Sequence, residues 1–453
     1  MKSINPYTGE TLKLYNPHSE LQINEAITRA HDTYLEWRKT PFSEKSSLMN
    51  KAADILESKK DHYAKLISLE MGKMMKEAVA EIEKCAWVCR YYAEKAEGFL
   101  ADTPLELPDD KKAKLKYNPL GVILAVMPWN FPFWQVFRFA APNLMAGNTG
   151  LLKHASNVPQ CALAIEEIFQ EAGFPEGCFQ SLLISSDKVK SILHHPHVKA
   201  ATLTGSEKAG EIIASQAGEV LKKTVLELGG SDPFIVLADA DVEKAAKTAA
   251  KARMINFGQS CIAAKRFIVH TDIYDSFVEI FKKEIENLKQ GEQFDESADF
   301  CCMARPDLAA ELYEQVNKSI EMGAKVILDG GRPEEGSALF RPYIISEITP
   351  EMPAYSEEMF GPVATIFEVN SEEEAIKIAN DSPYGLGSSL WTSDMDKADT
   401  LAAQIESGAV FVNGLVASSP YLPFGGIKRS GYGRELAELG IKEFVNIKTV
   451  TFA

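Results

Sequence analysis

From about residue 112 onward, short β-prone stretches alternate with helical ones, and this rhythm limits the possible folds more than any other feature of the chain. Stretches 114–117, 121–127, 149–153, 179–184, 200–203 and 224–228 read as strands, and 133–146, 160–172, 187–194 and 207–218 as the helices among them. Parallel strands need a long crossover, so strand, helix and strand at this spacing build βαβ units and a mostly parallel sheet. A second series follows Gly229-Gly230, with strands at 234–237, 267–270, 326–328, 365–367, 387–391 and 409–413. Helices at 241–256, 272–289, 306–322, 371–380 and 394–406 lie between them. The expected fold is α/β, with two Rossmann-like open-sheet domains joined near Gly229. Upstream, Ile23, Ile27, Ala30, Tyr34, Trp37, Leu48, Ala52, Ile55 and Leu56 recur at helical spacing, predicting amphipathic helices over 20–98. The glycine-rich stretch 423–433 reads as an interdomain loop.

Composition removes several function classes. In 453 residues, 48 Lys+Arg stand against 64 Asp+Glu, a net charge of −16. Binding to nucleic acid or an anionic membrane needs clustered cations, so neither is an expected partner. The first thirty residues hold no continuous apolar run, and the most apolar stretch, 121–147, is broken by Pro128, Asn130, Pro132, Arg138 and Pro142. A secretory signal and a membrane span are therefore not expected. Seven scattered cysteines do not make a disulfide scaffold, which points to the reducing cytoplasm. Cys85 with Cys89 lacks further ligands nearby, and Pro196 interrupts the His194-His195-Pro196-His197 run, so no metal site is expected.

Three segments carry chemistry. Asn256-Phe-Gly-Gln-Ser-Cys261 puts a cysteine after a glycine-containing loop at a helix end, where a thiol can be presented as a nucleophile. Alone, such a cysteine is equally readable as a small buried hydrophobe. Leu226-Glu227-Leu-Gly-Gly230 ends a strand in a carboxylate followed by two glycines that permit close backbone approach. Pro128-Trp129-Asn130-Phe-Pro132 places an amide donor at the carboxyl edge of another strand, where open α/β sheets bind ligands. Nucleophile, carboxylate base and amide donor are parts needed for acyl chemistry through a thioester.

PWNFP, LTGSEKAG, LELGG, NFGQSC, EEMFGP and PFGGIKRSGYGRE occur in the order and spacing of the aldehyde dehydrogenase superfamily. The resemblance runs from about Asn5 to the C-terminus. Within it, LLKHASN, LELGGSDPFIVL and CIAAKRF most resemble the bacterial succinate-semialdehyde dehydrogenases. The resemblance implies oxidation of an aldehyde to a carboxylate through a cysteine thiohemiacetal and thioester. Cys261 is the implied nucleophile, Asn130 with the Cys261 N–H the oxyanion site, and Glu227 the base that activates the hydrolytic water. Another small aldehyde as substrate, or acyl transfer to coenzyme A, are the alternative reactions; Glu227 counts against the latter. The cysteine that some relatives carry two residues past the nucleophile is Ala263 here, so no redox switch is expected at that position.

The same resemblance implies a nicotinamide nucleotide cofactor. Trp129, the turn holding Gly205, Ser206 and Gly210, and Glu358 with Phe360 match cofactor contacts. Where the family often has a glutamate that repels a 2′-phosphate stands Ser156, and Lys153 adds a positive charge, so NADP is expected, with NAD as the alternative. Arg138, Ser418 and neighbouring Ser419 match positions that hold a substrate carboxylate, while the second arginine of some relatives is Ile255 here. Arg253 lies two positions from Ile255, about 200° round a helix, and should not substitute for it. Residues 1–103 and 120–228 are the expected cofactor-binding domain and 229–425 the catalytic domain. Residues 104–119 and 443–453 are the expected bridging element of a homodimer or homotetramer, because the β-prone Thr449–Phe452 run would offer an exposed edge.

Overall fold

Strand Val122–Met127 anchors the first sheet of the protein, described by a computed structural model over residues 1–108 and 111–452. Five of its six residues are buried because helices cover both faces. Thr149–His154 and Phe179–Ser181 lie in parallel to one side of it, and Val198–Thr204 and Lys223–Glu227 to the other. The chain therefore reverses its direction of growth beside Val122–Met127. Ligands of open sheets bind at such a switch point, outside the carboxyl ends of the strands. Pro128, Trp129 and Asn130 follow that strand directly.

A second sheet takes the order Lys325–Leu328, Tyr343–Ser346, Val363–Val369, Arg266–His270, Pro233–Val236, Ser388–Trp391 and Val410–Val412. All its pairs are parallel except the first. Tyr343–Ser346, between the strands read at 326–328 and 365–367, went unread in the sequence. Four amphipathic helices precede the first sheet, at Glu20–Trp37, Phe42–Ser58, Lys60–Met71 and Met75–Phe99. The last three join the helix Trp134–Met145, with Trp37, in one core that includes Leu56, Ile82, Phe133 and Phe137, while Ile23, Ile27 and Ala30 of the first pack with Val122, Leu124 and Leu151 in another. A third, antiparallel sheet joins Val445–Phe452 to Lys112–Pro119 and that strand to Thr103–Glu106. Among the described residues no helix is long and apolar enough to cross a membrane.

Two local readings change. The stretch 423–433 is not merely a loop: Ile427–Lys428 pairs with Tyr384–Gly385, and Gly431–Tyr432 adds antiparallel to Lys223–Glu227. A Cβ at Gly431, whose φ is +110°, would fall 2.0 Å from the Leu226 carbonyl oxygen. Glycine here permits strand contact, whereas its abundance in sequence resembles a loop. The helix expected to reach residue 256 ends at Met254, because Asn256 and Phe257 take left-handed φ of 51° and 54°.

Candidate active site

Cys261 sits where two cavities meet and is the only one of the seven cysteines that is not buried; all seven are free thiols. Its loop is held under strain. Asn256, Phe257 and Gly258 are successive left-handed residues, and a Cβ at Gly258 would fall 2.3 Å from the Gly361 carbonyl oxygen. Left-handed backbone at non-glycine residues costs about 1 kcal/mol or more each and persists only where the surroundings fix it. Here buried cations do so. Lys265 Nζ donates to the carbonyls of Ser260 at 2.8 Å and Cys261 at 2.7 Å, and Arg253 donates to the Gly258 carbonyl at 2.8 Å and that of Val363 at 3.2 Å. Arg253 is thus committed to the backbone, consistent with its exclusion as a substrate ligand.

Asn130 is brought to this loop by contacts from three directions. Its backbone carbonyl accepts from Lys73 Nζ at 3.0 Å and Asn256 Nδ2 at 2.8 Å. Lys73 forms a buried ion pair with Glu81, whose other oxygen accepts the N–H groups of Phe133 at 2.9 Å and Trp134 at 3.0 Å. Glu81 therefore caps the helix Trp134–Met145 as a side-chain N-cap would. His154 Nε2 donates to the Pro132 carbonyl at 2.8 Å while Nδ1 accepts the Ala155 N–H at 2.9 Å. Burial pushes this imidazole down to about 4, so it stays neutral and bridges the turn. Asn130 Nδ2 uses one hydrogen on the Gln259 carbonyl at 3.1 Å, leaving the other free. The Cys261 N–H has no partner among the described residues. These are two donors beside one thiol, the composition of an oxyanion site.

Glu227 ends its strand, 2% exposed, and neither carboxylate oxygen has a hydrogen-bond partner among the described residues. Burial, and Glu435 nearby, hold its pKa well above the ordinary carboxylate value, with Arg138 and Arg434 opposing. Burial likewise pushes the Cys261 thiol up to about 12, against the pull of Lys265 and Arg138. The resting thiol is protonated, and burial makes the protonated form of the Glu227 carboxyl easier to keep than it is in water.

One cavity, of about 260 Å³, extends from Cys261 past Trp134, Arg138 and Ser418. Arg138 is 2% exposed and forms an ion pair with buried Glu435. Its guanidinium also lies 4.6 Å from the centre of the Phe424 ring. Ser418 Oγ accepts from Lys84 Nζ at 2.8 Å and from Trp134 Nε1 at 3.1 Å. Ser419 lines an adjoining hollow, which shares Val416, Ala417, Ser418 and Phe424 with this cavity, and its Oγ accepts the Tyr421 N–H at 3.4 Å. Of the two serines only Ser418 lines the cavity that holds Arg138.

The other cavity, about 540 Å³, holds most of the positions expected to bind a cofactor. Trp129 meets Phe360 edge to face at 5.8 Å. Glu358 accepts the Gly230 N–H at 3.0 Å and lies 3.3 Å from Lys265 Nζ. Gly205, Ser206 and Ala209 present the start of the helix Glu207–Glu219, which Ser206 caps. Unpaired amides there, with the helix dipole, favour a phosphate. Gly210 does not reach the cavity: it is buried against Leu228, whose side chain a Cβ would meet at 2.6 Å, so its role is helix-to-strand packing. Lys153 and Ser156 line a neighbouring hollow, and Arg305 borders both spaces. Lys153 is 8% exposed with no anionic partner among the described residues, a donor set that fits a further phosphate.

Sequence reading did not find Lys73, Glu81, Lys84, His154, Lys265 or Glu435. Nothing local marks them, because a buried lysine and a solvated one look alike until the fold is known. Comparison with known proteins agrees with the geometry. Residues 1–450 match the aldehyde dehydrogenase family. A protein of Synechocystis named probable succinate-semialdehyde dehydrogenase (NADP+) is 52% identical over 451 residues, covering 100% of this chain and 99% of the relative. The succinate-semialdehyde dehydrogenase (NADP+) of Mycobacterium avium is 51% identical, covering 99% and 96%. The crystal structure of succinic semialdehyde dehydrogenase from Streptococcus pyogenes, in complex with NADP+, superposes with a TM-score of 0.97 at 41% identity, covering 99% of each chain. A family model that matches residues 1–450, with relatives about half identical along nearly their whole length, means that this chain belongs to the aldehyde dehydrogenase family.

Proposed function

We propose that this protein oxidises succinic semialdehyde to succinate with NADP. The observation that carries the reading is Cys261 at the junction of two cavities, with a buried, unpartnered Glu227 and a cation-lined far wall. Relatives at 51–52% identity that are named for this substrate and cofactor support it.

Cys261 Sγ adds to the aldehyde carbon, its proton passing to a base, and the oxygen that becomes charged is held by Asn130 Nδ2 and the Cys261 N–H. Trp129, Ser206, Glu358 and Phe360 would hold the cofactor, with Gly205 leaving space at the helix start, and Lys153 and Ser156 would face its 2′-phosphate. NADP, when bound, would supply a hydride acceptor for oxidation of the Cys261 adduct to a thioester. Glu227 takes a proton from water as the water oxygen attacks the thioester carbon; the C–S bond breaks to give the acid and the Cys261 thiolate, and the proton on Glu227 returns to restore the thiol. Arg138 and Ser418 lie on the wall that receives the far end of the aldehyde.

Residues 1–103 and 120–228 serve as the cofactor-binding domain and 229–425 as the catalytic domain. Residues 104–119 and 443–453 bridge subunits of a homodimer or homotetramer. Ile447 and Phe452, 55% and 53% exposed on the outermost strand, favour such pairing. The cytoplasm suits an enzyme with seven free thiols. The test is kcat/KM for succinic semialdehyde and butanal, each with NADP and NAD, with and without coenzyme A. Preference for the acid-ended aldehyde and NADP, with free succinate as product, is expected. Preference for butanal, or an acyl-coenzyme A product, refutes the assignment.

A further inference from the structure

Three cations line the aldehyde cavity: Lys73, Lys84 and Arg138. Lys73 is paired with Glu81 and Arg138 with Glu435, both inside the protein. Lys84 alone has no carboxylate partner among the described residues. Its ammonium lies 4.2 Å from the centre of the Trp134 ring and donates to Ser418 Oγ at 2.8 Å. We propose that Lys84, acting with the Ser418 hydroxyl, is the specificity-determining anchor for the carboxylate of the acid-ended substrate.

The hydrogen-bond inventory supports this assignment. An ammonium has three donors and Lys84 uses one on Ser418, so two remain for an anion. Ser418 Oγ already accepts from Lys84 and from Trp134 Nε1, which fills its acceptor capacity and leaves its own O–H to donate. Lysine and serine thus present convergent donors, and the Trp134 ring fixes the ammonium from one side. Arg138 has its charge cancelled by Glu435, so a substrate carboxylate gains less from it. Ile255, also on the cavity wall, brings no charge.

Burial lowers the Lys84 pKa to about 8, aided by Arg138 and Lys73 and opposed by Cys85 and Glu81. Glu81 and Cys85 face it from its own helix, Lys73 from the preceding turn and Arg138 from the helix Trp134–Met145; Glu77 of its own helix lines the same cavity, its carboxyl raised by burial, and Ser418 faces it from the loop. An anchor of this kind is present below about pH 8 and is lost above it. A guanidinium does not lose its proton in that range, so an anchor built on arginine alone has no such dependence.

The inference rests on the succinic semialdehyde reading, and the test separates the two. The measurement is the ratio of kcat/KM for succinic semialdehyde to that for butanal, from pH 6.5 to 9.5, in the native enzyme and in Lys84→Met and Lys84→Arg. A charge-assisted contact predicts a ratio about 10- to 150-fold lower in Lys84→Met at pH 7. Lys84→Arg should recover most of it and move its fall to higher pH. In the native enzyme the ratio should fall through about pH 8. An unchanged ratio in Lys84→Met overturns the proposal and leaves anchoring to Arg138. If Lys84→Met does not fold, a native ratio that is flat with pH overturns it equally. A native enzyme with no preference for succinic semialdehyde overturns the substrate reading itself.

Discussion

The two cavities that meet at Cys261 differ in how their charges are held. On the aldehyde side charge is dense and, Lys84 apart, tightly paired: Lys73 with Glu81 and Arg138 with Glu435, each pair nearly sealed from water. On the cofactor side one looser pair, Glu358 at 3.3 Å from Lys265, stands among backbone and apolar contacts such as Trp129 against Phe360 and the Ser206-capped helix start. A buried ion pair is costly to desolvate, and removing one partner strands the other. The aldehyde side is therefore rigid and intolerant of change, while the cofactor side can alter its preference through one residue at its margin. Glu227 lies beside these paired charges yet is hydrogen-bonded to none of them among the described residues.

The largest effects should come from the junction. Cys261→Ala is expected to reduce aldehyde oxidation at least about 10³-fold, measured as steady-state reduced cofactor. Glu227→Gln should slow turnover about 10²- to 10⁴-fold, the usual contribution of a general base. Mass spectrometry should then find acyl-enzyme accumulating on Cys261. Because the Glu227 pKa is raised, the deprotonated base becomes more abundant as pH rises, so native deacylation should climb with pH and then level. Glu227→Gln should lose that limb. Unimpaired turnover in Glu227→Gln would remove it from the mechanism.

Next in size is the paired wall. Arg138→Met leaves Glu435 buried without its counter-charge and takes away one of the two cations that oppose the rise in the Glu227 pKa. A stability loss of about 3–5 kcal/mol is expected, read from denaturant unfolding. Turnover of succinic semialdehyde and butanal should fall together. Position in the sequence alone implies a loss confined to the acid-ended aldehyde; the pairing with Glu435 changes that expectation. A selective loss with unchanged stability would make Arg138 a direct ligand and erase the contrast between the two sides.

How far the sequence revealed this site follows the same division. The βαβ rhythm located most strands to within a few residues, because hydrophobic runs and their spacing are local properties. Asn130, Glu227 and Cys261 were legible because each lies at a strand end or beside a glycine turn. The residues that hold them were not. Lys265 reaches the Cys261 carbonyl from four positions away, but Glu81 grips the Phe133 amide across 52 positions. Such contacts depend on helix packing that no window of sequence contains. Gly210 and Ser419 each stand next to a residue that lines a cavity without lining it themselves, and only backbone direction distinguishes such neighbours.

The smallest effect belongs to the cofactor margin. Ser156 and Lys153 lie in a hollow that joins the main cleft along Arg305, away from the thiol and both ion pairs. Ser156→Glu adds a carboxylate there, which repels a 2′-phosphate and can take a hydrogen bond from a ribose hydroxyl. The KM for NADP should rise about tenfold or more, with kcat and the KM for succinic semialdehyde little changed. Binding can be read without turnover by titrating NADP against tryptophan fluorescence, since Trp129 lies in the cleft. Thermal stability should be nearly unaltered, because no buried partner is stranded. If the fold destabilises or kcat falls with the cofactor preference intact, the hollow is coupled to the reacting centre. The division between a rigid aldehyde side and an adjustable cofactor side would then fail at its most permissive point.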